Sequence, residues 1–523
     1  MAKSRFDKLI KNAAGRYVPR VVNGSARIPF KGIDGHRPTG RMASPPVRSY
    51  LDYPANGNKV VKSLTEALKK AGLRDGMTIS THHHLRNGDA LTNVLFDTIK
   101  RMEVKNIRWF PSASFPCHEY LIKYLEDRTI HHIEGSMNGP LGRYASEGKM
   151  KGVGILRSHG GRYRAVQDGD VHIDIAVIAA PSADPFGNAN GVMGKSACGP
   201  LGFALADSEY ADRVIVVTDT LVDFPCVPWH IQGNNVDFVV EVPTLGDPEK
   251  IVSGTTQLTK SPDRLLIADY VARFVDESGI MKDGFSFQAG AGGINLAFLL
   301  YLKEEMKKRG IKARFIRGGS TQYLVEMLEE GLTDFILDGQ AFDIEGVRSL
   351  YANPRHVNTS PFTSYNPHGK GNFASMIDAV VLGATEVDVN FNANVVTHSD
   401  GILLHGIGGW QDCLFGKCVI LAIPSFRDRV PIIVDEVTTL CGPGEMIDVV
   451  ITERGIAINP LRRDLIEKLS RSTLPLRKIE DIQRDVFELC GGEPEKPNVS
   501  KENVIAIVDW VDGTVLDSIY PVR

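Results

Sequence analysis

No stretch of this sequence is apolar for long enough to cross a bilayer. The longest runs, such as Val419 to Pro424 and Ala379 to Leu382, stop well short of the roughly 18 residues a span requires. The first residues also lack the apolar segment of a secretory leader. Cysteine is sparse. The seven, Cys117, Cys198, Cys226, Cys413, Cys418, Cys441 and Cys490, form no C-x-x-C pair, which excludes a thiolate zinc cluster of the usual spacing. Their odd number and wide scatter argue against a disulfide framework and for a reducing compartment, so the expected location is the cytoplasm. Nor is there an excess of charge of one sign. The net charge of −3 supplies no global cationic field, so neither nucleic acid nor a membrane is an expected partner.

What the chain has is length and glycine. Its 523 residues, 43% hydrophobic and 24% charged, suit a globular protein of two to four domains. Glycine numbers 51, above the average of about 7%. Charge is uneven along the chain. Residues 1–50 carry eleven Lys and Arg, from Lys3, Arg5 and Lys8 to Arg41 and Arg48, against Asp7 and Asp34, so this arm is +9 and the remainder −12. Its Arg, Pro and Gly, as in Gly35-His36-Arg37-Pro38-Thr39-Gly40, predict an extended strap. The strap either packs on its own acidic body or a second subunit, or holds an acidic partner.

Beyond residue 50, short apolar runs alternate with helical patterns: a helix over Lys59 to Ala71, a strand at Met77 to Ser80, a helix over Ala90 to Met102, a strand at Ile107 to Phe110. Such alternation predicts an α/β fold with mostly parallel sheets. The pattern then repeats. Gly76-Met77-Thr78-Ile79-Ser80 is echoed by Gly284-Phe285-Ser286-Phe287-Gln288, and Asn106 to Phe110 by Lys312 to Ile316. Gly169 to Asp174 is echoed by Gly383 to Asp388, and Asp212 to Val217 by Asp428 to Ile433. Two related domains are expected, 51–245 and 250–515, with a ligand cleft between them.

The strongest local pattern is His405-Gly406-Ile407-Gly408-Gly409-Trp410-Gln411-Asp412, three glycines in four residues after Ile402-Leu403-Leu404. Without a Cβ the backbone can bring its N–H groups close to a ligand, where they can stabilise an oxyanion; a tight turn closing a strand uses the same residues. Gln288-Ala289-Gly290-Ala291-Gly292-Gly293-Ile294-Asn295 opens the helix expected over Leu296 to Lys308. This loop suits an anion at a helix N-terminus or close helix–sheet packing. It is not the dinucleotide fingerprint, whose third glycine falls on Asn295. Gly194-Lys195-Ser196 ends like a P-loop, but position 189 is alanine, which excludes nucleotide hydrolysis. In His82-His83-His84, neighbouring side chains of an extended backbone face opposite ways, so the three cannot hold one metal. With Arg86 and Asn87 they make either a solvated loop or a cationic one suited to carboxylates.

These motifs, with Thr385-Glu386-Val387-Asp388, Val449 to Gly455 and Asp170 to Ile178, resemble the coenzyme A transferases. Glu134 to Gly142 and the His triplet look like the citrate-acting branch of that family. The resemblance implies paired coenzyme A transferase-type domains that exchange an acyl-carrier thioester between acetate and citrate, with acetyl-coenzyme A as a second donor. It implies an acyl carrier protein subunit and a lyase (beta) subunit as partners, no tightly bound cofactor and no metal, and is compatible with a homo-oligomer. Many members use a glutamate nucleophile where this chain has Ile316-Arg317-Gly318-Gly319-Ser320-Thr321, which contains no acidic residue. The resemblance to the citrate-acting branch implies direct attack by the incoming carboxylate, and this segment agrees with that. On this reading Gly406, Ile407, Gly408 and Gly409 supply the oxyanion donors, with Ser320 beside the acyl group. Gly290, Gly292, Gly293 and Asn295 flank the thioester arm; His82, His83, His84, Arg86, Asn87 and Asn138 hold the tricarboxylate. An acyl-coenzyme A hydrolase, another carboxylate transferase and a non-catalytic scaffold remain as alternatives.

Overall fold

Short Val- and Ile-rich runs that are buried along their whole length form the central strands of parallel sheets. Ile175–Ala179 and Val419–Ala422 are of this kind. The computed structural model describes residues 9–37, 45–252, 256–501 and 503–523. Lys3, Arg5, Lys8, Arg41 and the segment Pro38-Thr39-Gly40 lie outside these.

One sheet has seven strands, all parallel, in the order Val60–Val61, Phe238–Glu241, Arg213–Thr218, Ile175–Ala179, Thr78–Thr81, Ile107–Pro111, Ile130–Ile133. The other has eight, in the order His356–Asn358, Thr333–Ala341, Ala313–Ser320, Ser286–Ala289, Ala379–Leu382, Val419–Ala422, Val449–Thr452, Gly455–Ile458. Only its last pairing is antiparallel. The winding is the same in both. The first core strand, Thr78–Thr81 or Ser286–Ala289, lies centrally, the next two extend to one side and three later ones to the other, with edge strands added at Val60–Val61 in the first sheet and at His356–Asn358 and Gly455–Ile458 in the second.

The helix expected from Lys59 begins later. Val60–Val61 are β-branched and pair with Val239 and Val240, and Ser63 then accepts the Glu66 N–H to start the helix Leu64–Lys70. The first two sequence echoes fall on equivalent strands, but the last two do not. Gly169 to Asp174 precedes the strand Ile175–Ala179, whereas Glu386–Asp388 follows the strand Ala379–Leu382. Asp212 leads into a core strand, whereas Asp428 sits in the hairpin between Phe426–Arg427 and Val430–Pro431.

The true counterparts are two hairpins, Ser182–Ala183 with Ala189–Asn190 and Glu386–Asp388 with Ala393–Asn394. Asp184 accepts the N–H groups of Phe186 and Asn188 and the Asn188 amide; Asp388 accepts those of Asn390 and Asn392 and the Asn392 amide. Asn190 and Asn394 each accept two further backbone N–H groups. The copies are 204 positions apart, and what they share is turn chemistry rather than apolar pattern.

The chain ends cross the halves. Ala506–Asp509 adds in parallel to Gly154–Leu156, and Val515–Ile519 pairs with it in turn. The described part of the basic arm packs on this ribbon. Asn12 Nδ2 donates to Val515 O and Leu516 O, Phe30 N to Val515 O, Arg27 pairs with Asp509, and Arg16 lies 3.6 Å from Asp517 and Glu436. At these positions the strap meets the acidic body of its own chain. Among the described residues no helix is long and apolar enough to cross a membrane.

Asp184 also accepts the Cys226 N–H and is fully buried. Asp184→Ala should therefore lower the unfolding free energy by about 3 kcal/mol in urea titration, because it strands several buried donors. A loss under about 1 kcal/mol would show that the turn does not depend on this carboxylate.

Candidate active site

Ligands of parallel α/β sheets bind at the carboxyl ends of the strands, and here those ends from both sheets line one cavity of about 640 Å³. The first half contributes His83, Arg86, Ser112, Asn138, Arg157 and His159. The second contributes Gln288 to Gly290, Arg317 to Gly319, Gln340, Phe342, His405 to Trp410 and Asp412.

The strand Thr78–Thr81 delivers the His triplet, and the turn after it separates the three rings. His82 lies inside, 2.7 Å from Asp207, which also receives both terminal nitrogens of Arg162 at 2.7 Å and the Ser80 hydroxyl at 2.6 Å. His84 pairs with Ala179 O at 2.7 Å. Only His83 reaches the cavity, bonded to Ser112 Oγ at 2.7 Å. Arg86 has φ 54° and ψ −135°, a backbone conformation an arginine rarely adopts. Its guanidinium lies 4.5 Å from the centre of the Phe342 ring. Asn87 is exposed and accepts the Cys117 N–H, while Asn138 lines the cavity.

Cations and neutral imidazoles dominate this space. Burial, then neighbouring His159 and Arg86, push His83 well below the usual histidine range; burial, then Arg162 and Arg317, push His159 down to about 3. Both rings pack against Phe203, His83 tilted at 4.4 Å and His159 edge-on at 4.6 Å. Arg157 is matched by Glu134 at 2.8 Å and Asp509 at 3.1 Å. Arg317 is buried, donates to Leu337 O and the Ser364 hydroxyl, and forms no ion pair among the described residues. A buried guanidinium without a carboxylate is a ready anion partner. The one carboxylate among the described cavity residues, Asp412, accepts Ser158 Oγ at 2.6 Å and Gly160 N at 2.9 Å, and burial pushes it up to about 6.

All four residues of the 406–409 loop line the cavity. Gly406 N donates to Ser136 Oγ at 2.6 Å, and the His159 N–H donates to Gly408 O at 2.9 Å. Gly408, at φ 64°, is bridged to Ser158. The N–H groups of Ile407 and Gly409 have no protein acceptor among the described residues.

The other expected residues divide. Gly290 lines the cavity, but Gly292, Gly293 and Asn295 line a neighbouring one of about 200 Å³ at the start of the helix Gly293–Arg309. Arg264 and Arg427 share that second space, and burial together with Arg264 lowers Arg427. Ser320 is fully buried against Asp338 at 2.6 Å and is not a wall of either cavity. Sequence reasoning missed Arg317, Asp412, His159 and the Arg264–Arg427 pair. Arg317 stood in a segment read for its missing glutamate and Asp412 in one read for its glycines, and His159 follows the N-capping Ser158, a helix-start signal before Gly160-Gly161.

The model of the citrate lyase alpha-subunit family, CitF, matches residues 57–522. The citrate lyase alpha chain of Klebsiella pneumoniae is 40% identical over 467 residues, 89% of this chain and 92% of that protein. The alpha chain of Escherichia coli is 38% identical over 480 residues, 91% and 94%. A Streptococcus mutans protein described as a citrate lyase alpha subunit, solved in complex with citrate, superposes with a TM-score of 0.93 at 40% identity, covering 98% of this chain and all of that one. A Pseudomonas malonate decarboxylase hetero-tetramer, solved with malonate, shares the fold at a TM-score of 0.59 and 18% identity, covering 84% of this chain and 94% of the other.

Two loop glycines should respond differently to alanine. A Cβ on Gly406 would meet Ser136 Cβ at 2.5 Å, so Gly406→Ala should cost about 1–3 kcal/mol in denaturant unfolding. A Cβ on Gly409 would meet nothing nearer than His159 Nδ1 at 3.6 Å, so Gly409→Ala should stay within about 0.5 kcal/mol of wild type. Equal effects would contradict the docking of this loop on Ser136.

Proposed function

The chain belongs to the citrate lyase alpha-subunit family, and from that premise we propose that it is the transferase that moves an acyl-carrier thioester from acetate to citrate. A free citrate carboxylate makes carbon–carbon cleavage difficult, because the departing two-carbon carbanion would lie beside a negative charge. Conversion to a thioester removes that charge. One thioester replaces another, so the exchange is nearly neutral in energy, and catalysis rests on positioning and oxyanion stabilisation.

The observation that carries the reading is Arg317, a buried cation without a carboxylate partner among the described residues, in a cavity whose only described carboxylate is already committed to Ser158 and Gly160. A tricarboxylate supplies the missing negative charge, and Arg86, Arg317, His83 and Asn138 are the groups placed to receive it. Its reacting carboxylate oxygen attacks the acetyl thioester carbon, the thiolate leaves, and an acetyl-citryl anhydride forms. The thiolate then attacks the citryl carbonyl and acetate departs. The Ile407 and Gly409 N–H groups receive the oxyanions.

The arm of the acyl carrier, or of coenzyme A, runs past Gly290 toward Gly292, Gly293 and Asn295, where Arg264 and Arg427 suit a phosphate. On this reading residues 51–245 and 250–515 are two related units, residues 1–50 are their strap, and the partners are an acyl carrier subunit and a lyase subunit.

The purified protein should exchange labelled acetate with acetyl-coenzyme A in a citrate-dependent manner. Hydrolysis without such exchange would make the chain a hydrolase, and complex formation without either would make it a scaffold. Arg317→Met should raise the KM for citrate by roughly 30-fold, about 2 kcal/mol for a charged hydrogen bond. Hydroxylamine or borohydride trapping after incubation with acetyl-coenzyme A should leave every glutamate unmodified; a modified one would overturn direct transfer.

A further inference from the structure

Asp412 is an unusual resident of this cavity. It is 2% exposed, belongs to the second half of the chain, and spends both carboxylate oxygens on the first half. Oδ1 accepts the Ser158 hydroxyl, whose oxygen in turn accepts the Gly161 N–H as the N-cap of the helix His159–Gln167. Oδ2 accepts the Gly160 N–H in the first turn of that helix. Four residues before Asp412, the Gly408 carbonyl takes the His159 N–H of the same turn. One loop therefore grips one helix start at successive amides, His159 through Gly408 and Gly160 through Asp412. Gly409 lies between the two grips, and Ile407 immediately precedes the first. The packing leaves no slack: a Cβ on Gly160 would meet Asp412 Oδ1 at 2.8 Å.

We infer that Asp412 is a positioning residue that latches the glycine loop onto the helix His159–Gln167 and so fixes the Ile407 and Gly409 donors beside His159 in the cavity that Arg317 also lines. The inference rests on the transfer reading given above for the role of those donors, but the latch itself is a property of the protein without substrate. A loop rich in glycine loses more conformational freedom on ordering than any other, so something must hold it. A carboxylate at a helix start is a suitable holder, since the first-turn N–H groups have no partner within the helix.

Burying this carboxylate is unfavourable. Its folded-state pKa of about 6 lies above its ordinary 3.8, so its contribution to stability is present at low pH and is lost as pH rises through about 6. A residue kept for stability would not sit this way. The charged and titratable groups that act on it or feel it are Arg317 from the strand Ala313–Ser320, Tyr365 and the neighbouring Cys413, while His159 on the gripped helix and His405 at the start of the loop share its cavity. Burial pushes Tyr365 above its usual range and Cys413 up to about 12, and His159 lies at about 3. His405, at the start of the same loop, is held below its ordinary value by burial, so the variant that removes Asp412 and keeps His405 is what assigns a limb near pH 6.

Asp412→Asn keeps the shape but leaves one acceptor where there were two, so either the Gly160 N–H faces a donor or the Ser158 hydroxyl must turn its proton away. Three results are expected together: kcat for thioester transfer falls roughly 100-fold, the penalty of about 1 Å of misplacement; the limb near pH 6 in the kcat profile disappears; and amide hydrogen exchange of 405–413 and 157–161 accelerates while the melting temperature at pH 7 is unchanged or higher. An unchanged kcat would overturn the inference. So would a loss of kcat with wild-type exchange in both segments, or one accompanied by global destabilisation, since either would make Asp412 something other than a latch. Should that variant not fold, Ser158→Ala breaks the Oδ1 grip. Faster exchange in 405–413 supports the latch and wild-type exchange refutes it. Because exchange needs no substrate, a wild-type protein that fails to transfer labelled acetate would refute the functional reading while leaving the latch tested.

Discussion

The cleft depends on the junction between the 406–412 loop and the first turn of the helix His159–Gln167. Its elements come from opposite halves of the chain, joined here by the Ser158–Gly408 bridge and the two oxygens of Asp412. Parallel sheets place their loops at one end, but nothing in a sheet fixes where the loops of another sheet will stand. That register is set by directional hydrogen bonds between backbone and side chain, whose geometry is far less forgiving than apolar contact.

A second buried network supports the same wall from behind. Asp207 gathers Arg162, His82 and Ser80, and these hold the strand Thr78–Thr81 against the helix that carries His159. Replacing such a cluster with apolar residues of equal volume would often cost nothing in stability. Its value here is directional: with His82 turned inward and His84 tied to Ala179, His83 is the one ring of three that faces the cavity. The polar interior thus does work that a purely apolar core, indifferent to the facing of a ring, does not perform.

The parallel sheets were legible because short apolar runs between helical periods leave few alternatives, and the first two echoes between the halves fell on equivalent strands. The later echoes misled because they matched acidic strand starts, a pattern that any αβ turn can produce. The real correspondence, Asp184 and Asn190 with Asp388 and Asn394, is written in residues that bond their own turns and show no periodicity. The glycine loops were visible for the same reason that Arg317 and Asp412 were not. Glycine announces a backbone requirement at its own position, whereas the meaning of a buried charge depends on what the fold later sets against it.

Charge placement in the cavity follows from this. Arg157 carries two carboxylates of its own, Glu134 and Asp509, and Arg27 from the basic arm meets the same Asp509. It is a neutralised structural cation, and the arm contributes to the site indirectly by sharing its counter-ion. Arg317 lacks that compensation among the described residues, and the two imidazoles are held neutral by burial. With two histidines uncharged and one arginine unmatched, the cavity holds a local excess of positive charge that Asp412 partly offsets as pH rises through about 6. A polyanion bound there meets fixed guanidinium and backbone donors, and the group at its edge that titrates near pH 6 is the carboxylate that holds those donors in place.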